Sequence, residues 1–449
     1  MLLRFTVSNF LSFAAETEFT MFPYERLRAH RDHVYDLDAS KVLRAAAIYG
    51  GNGSGKSNFI RAAYVLWRAV TKAEIDWVGV QRFAMDDALT NQPIAFEMEF
   101  QREDTFFLYG LELADGYISS EWLYQTFPDK KDTERLIFER KQTEGQIQVN
   151  IIGEYRQTDR QKSVLQMVDT IGLPGGGSTP FLHFADGYRD FPLISQAIAW
   201  FEEDVWFLTP DVGSYHRVEL LLDEPELLTY VNELLPKLDT GIIEVALDRF
   251  SLTETLRLDA TLRGRLEDAF REPLAGDRVA LTLPGYLPMV VERTEGEYFA
   301  HVLVTRHRAK NGTVDFSVDR ESDGTLRLLD LLPLLYGTLR EPKVVFVDEI
   351  GRSVHPVVLR ALLQRFLRTP ARGQFIFTTH QLDLLDTDLF RQDEIWFVDK
   401  NQTGASELYA LSDFKPRRDL DLQRGYRAGR YGGIPNTLDL AAEIWSDDA

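Results

Sequence analysis

The chain has 449 residues, with 50 Lys and Arg against 70 Asp and Glu, a net charge of −20, and no cysteine. The absence of cysteine excludes disulfide bridges, thiolate metal sites and a cysteine nucleophile, and is compatible with a cytoplasmic protein. The acidic balance argues against nonspecific coating of DNA, because a polyanion is repelled unless basic residues cluster locally. The length allows two or three compact units, or one interrupted domain.

The amino-terminal stretch MLLRFTVSNFLSF alternates apolar and polar residues, which is typical of a half-buried β-strand. It lacks the long apolar run and the small-residue cleavage site of a signal peptide. A later apolar run, residues 326–339, contains Arg327, Asp330 and Pro333, so it is too short and too polar to span a bilayer. We therefore expect no membrane segment and a cytoplasmic location.

The strongest motif is GGNGSGKS at residues 50–57, which matches G-x-x-x-x-G-K-[ST]. Residues 45–49 read as a buried strand, and residues 58–66 continue with the apolar spacing of a helix. A glycine-rich turn at a helix N-terminus presents backbone N–H groups to phosphates. Lys56 should neutralise phosphate charge and Ser57 should bind Mg²⁺. The predicted phosphate-binding residues are Gly50, Asn52, Gly53, Ser54, Gly55, Lys56, Ser57 and Asn58.

The middle of the chain contains alternating stretches, FEMEF, FFLYGLEL and ISSEWLY, which predict an antiparallel meander within residues 96–124. No sustained apolar heptads are visible, so we expect no long coiled coil. A glycine-rich break at residues 172–180 separates helical patterns. LISQAIAWFEEDVWFL predicts an amphipathic helix that carries Trp200 and Trp206, and residues 154 to about 270 predict a compact helical insertion for subunit or partner contact.

Two Asp-Glu pairs compete for the role of metal-binding strand end. In LLLDEPEL the leucines favour a helix, and Asp223, Pro225 and Glu226 have the spacing of an N-cap, an early-turn proline and an N3 carboxylate. In KVVFVDE, by contrast, β-branched and aromatic residues predict a buried strand at residues 343–347. We therefore expect Asp348 to hold Mg²⁺ and Glu349 to polarise the attacking water.

Two further elements flank this pair. Ser322 and Gly324 lie in a turn that opens an apolar helix, which is suited to a γ-phosphate but is equally an ordinary N-cap. His380 follows a predicted strand at residues 374–377. A lone histidine is more often structural; its order and context here favour contact with the γ-phosphate or the water that Glu349 holds.

This order of motifs resembles that of ABC-type ATPases, most closely the SMC/RecF/OLD-like branch. The stretches ESDGTLRLLDLLP, DEIGRSVHP, FTTHQLDLLD, RQDEIWFVDK and YRAGRYGGIP are similar to the abortive-infection ATPases of bacterial phage defence, the group of AbiL and PARIS AriA proteins. The similarity covers the first ~120 residues and the carboxyl-terminal third. It implies an α/β ATPase head with an antiparallel meander and a compact, mainly helical insertion.

The resemblance also implies ATP and Mg²⁺ as cofactors, and Lys56, Glu349 and His380 as catalytic residues. Ser322 and Gly324 of a second copy would cover the γ-phosphate, giving an ATP-sandwiched dimer or a larger ring. The loop of residues 350–355 would meet that copy. The lobes would be residues 1–150 and 301–449, around an insertion at 151–300. The glutamine that senses Mg²⁺ stays open among three candidates, Gln81, Gln92 and Gln101.

By this resemblance the chain is an antiviral ATPase that controls a separately encoded toxin or nuclease, such as a TOPRIM or RloB-like protein, with a phage-encoded trigger. No nuclease motif is recognised after His380. The alternative is a RecF- or SMC-like DNA-repair or chromosome-maintenance ATPase; a transporter subunit fits less well. The tail at residues 413–435 has six basic and three acidic residues, so it is either a patch for an acidic partner or nucleic acid, or a solvated or packed segment.

Overall fold

A computed structural model describes residues 1–128, 133–143, 145–209, 215–252, 260–270, 278–281, 289–414 and 421–433. Two compact units form, and neither is continuous in sequence. The first unit consists of residues 1–207, 338–350 and 362–449, and the second of residues 208–337 and 351–361. The sequence predicted boundaries near residues 150 and 300, whereas the chain passes between these units near residues 207, 337, 350 and 361.

The strands run in chain order as β1 (Leu2–Ser8), β2 (Thr17–Thr20), β3 (Val34–Asp36), β4 (Lys41–Leu43), β5 (Ala45–Gly50), β6 (Ile94–Arg102), β7 (Thr105–Ala114), β8 (Tyr117–Thr126), β9 (Glu134–Thr143), β10 (Gln146–Ile151), β11 (Val205–Leu208), β12 (Ile242–Ser251), β13 (Arg278–Leu281), β14 (Met289–Thr294), β15 (Glu297–Ala309), β16 (Gly312–Ser317), β17 (Val344–Val347), β18 (Gln374–Thr378), β19 (Ile395–Lys400) and β20 (Ser406–Ala410).

The helices are α1 (Lys56–Lys72), α2 (Asp159–Ile171), α3 (Phe181–Asp186), α4 (Pro192–Ala199), α5 (Tyr215–Asp223), α6 (Pro225–Leu234), α7 (Ala260–Ala269), α8 (Asp323–Arg340), α9 (Pro356–Arg368) and α10 (Leu422–Arg427).

A six-stranded sheet in the order β11-β17-β18-β5-β19-β20 forms the centre of the first unit. Strands β17, β18, β5 and β19 are parallel to one another, and β20 pairs antiparallel to β19. Every residue of β5, β17 and β18 is buried, as expected for parallel strands covered on both faces. Because the carboxyl ends of parallel strands meet at one sheet edge, the loops after β5, β17 and β18 are brought together there.

The predicted meander is confirmed. It forms part of a seven-stranded antiparallel sheet in the order β10-β9-β8-β7-β6-β1-β2. Aromatic side chains fill its core, where the Phe100 and Trp200 rings stack with their centroids 4.1 Å apart. Trp200 belongs to a π-helical turn, Trp200–Asp204, that ends the helical pattern. Trp206 lies on β11, so the predicted helix ends before it. The residues Val205 to Leu208 are β-branched, aromatic or apolar, and they join the central sheet as a strand instead.

The described part of residues 151–300 is mainly helical, as predicted, but the second unit also contains an antiparallel sheet that the sequence did not indicate. Helices α5, α6 and α7 accompany a five-stranded antiparallel sheet, in which β12, β15, β14 and β13 are neighbours and β16 pairs with β15. A two-residue turn, Glu295 and Gly296 with φ of 52° and 84°, connects β14 to β15. Two successive positive φ values are typical of a two-residue hairpin turn. The turn lacks the Asn-Gly pair by which such turns are usually recognised in a sequence.

The stretch LLLDEPEL is helical, as predicted, but its capping differs from the prediction. Asp223 is the last residue of α5 and Pro225 the first of α6, with Glu224 between them as an N-cap without a side-chain hydrogen bond. Asp223 accepts a 2.8 Å hydrogen bond from Arg278, and Glu226 one of 3.2 Å from the Tyr336 hydroxyl. Asp223 and Glu226 therefore make hydrogen bonds within the second unit.

Two absences hold for the described part of the chain. None of its helices combines the length and apolarity needed to cross a membrane. The longest, α8, has 18 residues and contains Pro333, so the described residues include no long coiled coil.

Candidate nucleotide site

The phosphate loop lies between β5 and α1, as the motif predicts. Gly53 and Gly55 have φ of 73° and 115°, a conformation that favours glycine, and Gly55 is the N-cap of α1. A Cβ at Gly55 would lie 2.2 Å from the Ser406 hydroxyl oxygen, and one at Gly50 would lie 2.4 Å from the Val398 carbonyl oxygen. A side chain at either position would collide with Ser406 or Val398, so both positions require glycine.

Two serines missed by the sequence analysis hold this loop in place. Ser406 donates through its hydroxyl to the Ser54 carbonyl at 2.5 Å, and its N–H donates to the Ser12 carbonyl at 2.7 Å. The Asn58 amide in turn donates to the Ser12 hydroxyl at 2.8 Å. Isolated serines far apart in sequence carry no recognisable signal. Asn58 thus supports the loop from behind, in addition to lining its cavity.

Lys56 is folded back into the loop. Its ammonium donates to the Gly50 and Gly51 carbonyl oxygens, both at 2.9 Å, and the residue is only 5 % exposed. Burial lowers the pKa of Lys56 from 10.5 to about 8, although the carboxylates of Glu349 and Asp348 oppose this shift. A phosphate placed in the loop would offer the ammonium a charged partner in place of two carbonyls.

Asp348 directly follows the strand β17 and accepts hydrogen bonds from two hydroxyl groups. Ser57 donates to its Oδ1 at 3.1 Å and Thr378, at the end of β18, donates to the same atom at 2.6 Å. Asp348 is 7 % exposed and Thr378 is fully buried. A carboxylate beside a P-loop hydroxyl is an oxygen ligand set suited to Mg²⁺. The structure thus brings together the two residues that the sequence predicted as metal ligands.

Glu349 and His380 face each other beside this carboxylate. Glu349 has φ of 49°, unusual for a residue with a side chain, and its N–H donates to the Thr378 hydroxyl at 2.7 Å. His380 Nε2 lies 3.7 Å from Glu349 Oε1, and both side chains are more than a third exposed. Burial and, next, the Lys56 charge lower the pKa of His380, while Glu349 opposes them.

These groups line one cavity of 410 Å³, within the size range of small-molecule sites. Its lining residues are Asn52, Gly53, Gly55, Lys56, Ser57, Asn58, Glu349 and His380. A cation, backbone N–H groups at a helix N-terminus and nearby carboxylates fit a polyphosphate with its Mg²⁺. None of Gln81, Gln92 or Gln101 lines the cavity, so the structure does not identify the Mg²⁺-sensing glutamine.

The residues from 45 to 386 match the protein family described as "AAA domain, putative AbiEii toxin, Type IV TA system". The chain belongs to this AAA-domain family. The match begins with β5 and ends beyond His380, so it includes the phosphate loop, the Asp348-Glu349 pair and the histidine. Comparison with curated proteins finds no match.

Among solved structures, the chain is similar to three heads of SMC proteins. The SmcHead bound to the C-winged helix domain of ScpA is 13% identical, with a TM-score of 0.43, 91% of this chain covered and 97% of the other. The SMC head domain from Thermotoga maritima is 13% identical, with a TM-score of 0.38; the match covers 91% of this chain and 98% of the other. The third is the Smc head domain with an extended coiled coil bound to the C-terminal domain of ScpA derived from Pyrococcus furiosus. It is 13% identical, with a TM-score of 0.36, and the match covers 96% of this chain and 98% of the other.

In this AAA-domain protein, Ser322 and Gly324 belong to the second unit, at the start of α8. Ser322 is exposed, and its hydroxyl accepts a hydrogen bond of 3.1 Å from the Thr325 N–H. This is N-cap geometry, one of the two predicted interpretations. A Cβ at Gly324 would lie 2.5 Å from the carbonyl oxygen of Ser353, so the glycine lets the helix start lie against the loop after Glu349.

Proposed function

We propose that this AAA-domain protein binds ATP with Mg²⁺ and hydrolyses it at the phosphate loop. The observation that carries the proposal is the convergence of Ser57 and Thr378 on the Asp348 carboxylate, beside the Glu349–His380 pair. A P-loop alone would support binding of phosphate; an adjacent carboxylate pair adds a metal position and a base for water.

Each residue has a distinct role in the proposal. Lys56 leaves the loop carbonyls to bind phosphate oxygens, and Ser57 and Asp348 hold the Mg²⁺, which would neutralise charge on the phosphates. Glu349 orients and polarises the attacking water. His380, whose pKa is lowered, is largely neutral at pH 7 and offers one ring N–H to the γ-phosphate or to that water.

We also propose that ATP joins two copies, in a dimer or a larger ring. The start of α8 supports this, because Ser322 is exposed and the N-terminus of an 18-residue helix presents N–H groups and positive dipole charge. Ser322 of a second copy would lie against the γ-phosphate of the ATP bound to the first copy. It would thereby complete the nucleotide site of the first copy. Hydrolysis would then separate the copies.

The biological role in the proposal is bacterial phage defence, with ATP-driven assembly controlling a separately encoded toxin or nuclease. Support comes from the motif resemblance to abortive-infection ATPases and from the toxin–antitoxin system named for the matched family. That family name also favours a second candidate, in which this chain is itself the toxin. The net charge of −20 weighs against a DNA clamp.

Affinity purification from phage-infected host cells tests the role. The Glu349→Gln protein, purified with ATP, should retain its effector, whereas Lys56→Ala, which lacks the phosphate-binding cation, should lose it. Recovery of the same proteins with both variants would contradict ATP-controlled effector binding. Toxicity on expression of the chain alone would favour the second candidate, and tight, strongly salt-dependent binding to duplex DNA would favour a clamp.

A further inference from the structure

We propose that His30, Asp32 and His33 bind a divalent transition-metal ion of the Zn²⁺ class, at a site separate from the nucleotide. One ligand atom of each residue lies within 4.8 Å of those of the other two. The three residues belong to the short turn that precedes β3, and the two imidazole rings stack with centroids 4.7 Å apart. Imidazole nitrogen and carboxylate oxygen are the ligands that Zn²⁺ shares with cobalt and nickel.

Both imidazoles have a second partner that fixes their orientation. His33 Nδ1 lies 2.9 Å from a carboxylate oxygen of Glu394, and His30 Nε2 lies 2.8 Å from the Thr387 carbonyl oxygen. Each of these nitrogens donates its hydrogen to an acceptor, so the other ring nitrogen keeps a lone pair for a metal. An acceptor behind a ligating histidine is the usual second shell of protein metal sites.

The Glu394 carboxylate provides the independent observation. It is fully buried, and its Oε2 accepts from His33 and from the Arg391 N–H, while Oε1 has no hydrogen-bond partner among the described residues. A buried carboxylate oxygen without a partner is costly. The nearby Arg44 guanidinium donates instead to the Phe366 and Leu367 carbonyls. A cation on the histidines would balance the charge of this carboxylate through the His33 ring.

The site lies at the opposite end of the parallel sheet from the phosphate loop. The Arg44 N–H donates to the His33 carbonyl at 3.0 Å, directly before β5, and the Ala47 N–H donates to the Glu394 carbonyl at 2.8 Å, directly before β19. Six residues of strand separate Arg44 from the loop, roughly 20 Å at about 3.3 Å per residue. The ion would therefore tie the segment before β3 to the base of the strand that carries the phosphate loop.

The geometry needs only a small adjustment for coordination. Ligand atoms around tetrahedral Zn²⁺, with bonds of about 2.0–2.1 Å, lie roughly 3.4 Å apart. Asp32 is exposed, so its side chain can rotate toward the rings and leave a fourth position for water. His33 is 3 % exposed, His30 is half-buried and Asp32 is exposed, so the three residues lie at the boundary between the interior and the solvent.

Titration of the chelator-treated full chain with Co²⁺, without nucleotide, tests the site. We expect one ion to bind, with visible absorbance from nitrogen and oxygen ligands and displacement by Zn²⁺. His30→Ala and Asp32→Asn should each weaken binding at least about tenfold. The matched control is Asp38→Asn, which changes an exposed carboxylate between β3 and β4 and should leave metal binding as in the wild type. His380→Ala removes the histidine of the nucleotide site and should also leave binding unchanged.

The same variants separate metal binding from folding. Zn²⁺ should raise the melting temperature of the wild-type chain and of Asp38→Asn, but not that of His30→Ala. His33→Ala is avoided because it would remove the side-chain partner of the buried Glu394 carboxylate and leave only the Arg391 N–H. Failure of the wild type to bind at micromolar Co²⁺ or Zn²⁺ would overturn the proposal. So would unchanged binding in His30→Ala and Asp32→Asn, or loss of the ion in His380→Ala.

Discussion

The Thr378 hydroxyl donates a 2.6 Å hydrogen bond to the Asp348 carboxylate and accepts one of 2.7 Å from the Glu349 N–H. One hydroxyl on β18 thus fixes the two acidic residues at the end of β17. The Ile350 N–H donates to the Thr378 carbonyl at 3.0 Å, so the pairing of the two strands continues through this point. The positive φ of Glu349 is held between these bonds.

Replacing Thr378 by valine should impair hydrolysis more than nucleotide binding. The substitution keeps the shape of the side chain but removes one of the two hydroxyl donors to Asp348 Oδ1 and the acceptor of the Glu349 N–H, at a cost of about 1–3 kcal/mol. We expect the hydrolysis rate to fall about tenfold or more, with ATP affinity within a few-fold of wild type. Steady-state phosphate release and fluorescent-nucleotide binding measure the two effects.

Two matched variants control this experiment. Thr378→Ser keeps the hydroxyl and should retain most activity. Thr379→Val removes a neighbouring buried hydroxyl that accepts a hydrogen bond from the Gln381 N–H at 3.0 Å, and it should have a smaller effect. Equal losses in Thr378→Val and Thr379→Val would contradict a specific role for Thr378.

Glu349→Gln should abolish hydrolysis while ATP still binds. The amide is close in shape to the carboxylate but cannot polarise the attacking water, so the ATP-bound assembly should accumulate. Size-exclusion chromatography with light scattering should show a larger species with ATP than with ADP. Asp223→Asn, at the rejected Asp-Glu pair, should leave turnover within a few-fold of wild type, and a comparable loss there would refute the assignment.

Nucleotide affinity should fall as the pH rises above about 8, the pKa of Lys56 in the free protein. A bound phosphate favours the ammonium, so binding raises this pKa and takes up protons. More than about one unit below this pKa the lysine is already charged, and affinity should be nearly constant. Calorimetry in two buffers of different ionisation enthalpy measures the proton uptake. Lys56→Arg, which stays charged, provides the comparison, and zero uptake near pH 9 in the wild type would contradict the prediction.

Lys56 also predicts how stability depends on pH in the absence of nucleotide. Its pKa is about 8 in the folded chain and near 10.5 when unfolded, so the unfolded chain binds more protons between these values. The Lys56 contribution to the free energy of unfolding therefore rises with pH across this window. Urea unfolding of the wild type and of Lys56→Met at several pH values isolates that contribution, because methionine does not titrate. A difference between them that does not change with pH would contradict the lowered pKa.

If Ser322 acts on a neighbouring copy, two inactive variants should restore activity when mixed. Ser322→Arg blocks the start of α8, and Lys56→Ala removes the phosphate-binding cation. A mixed dimer keeps one intact site, so an equal mixture should recover about one quarter of wild-type hydrolysis if dimers form at random. Mixing Lys56→Ala with Glu349→Gln is the control. Both changes lie in the same half-site, so each site of a mixed dimer carries one of them and the mixture should stay inactive.

A second mixture distinguishes sharing from simple contamination. Lys56→Ala combined with the double variant Lys56→Ala/Ser322→Arg leaves no intact site and should stay inactive. Phosphate-release assays after mixing and re-equilibration measure all three mixtures. No recovery in the Ser322→Arg mixture, or equal recovery in the Glu349→Gln mixture, would contradict action of Ser322 in trans.

The sequence by itself determined the phosphate loop and the choice between the two Asp-Glu pairs. Both depend on local physics: glycines that permit positive φ, β-branched residues before Asp348, and helix-forming leucines before Asp223. The all-buried strands β5, β17 and β18 follow from the same composition, because short runs of apolar residues between turn signals are typical of parallel strands.

Only the tertiary structure decided what surrounds these elements. Thr378, Ser12 and Ser406 support the site through single hydrogen bonds across large sequence separations, which leave no local pattern. The turn at Glu295 and Gly296 connects two strands of a sheet that the sequence did not indicate, because pairing between segments distant in sequence, such as β12 and β15, leaves no local pattern. His33 and Glu394 likewise meet only because the chain folds 361 residues back to the same sheet end.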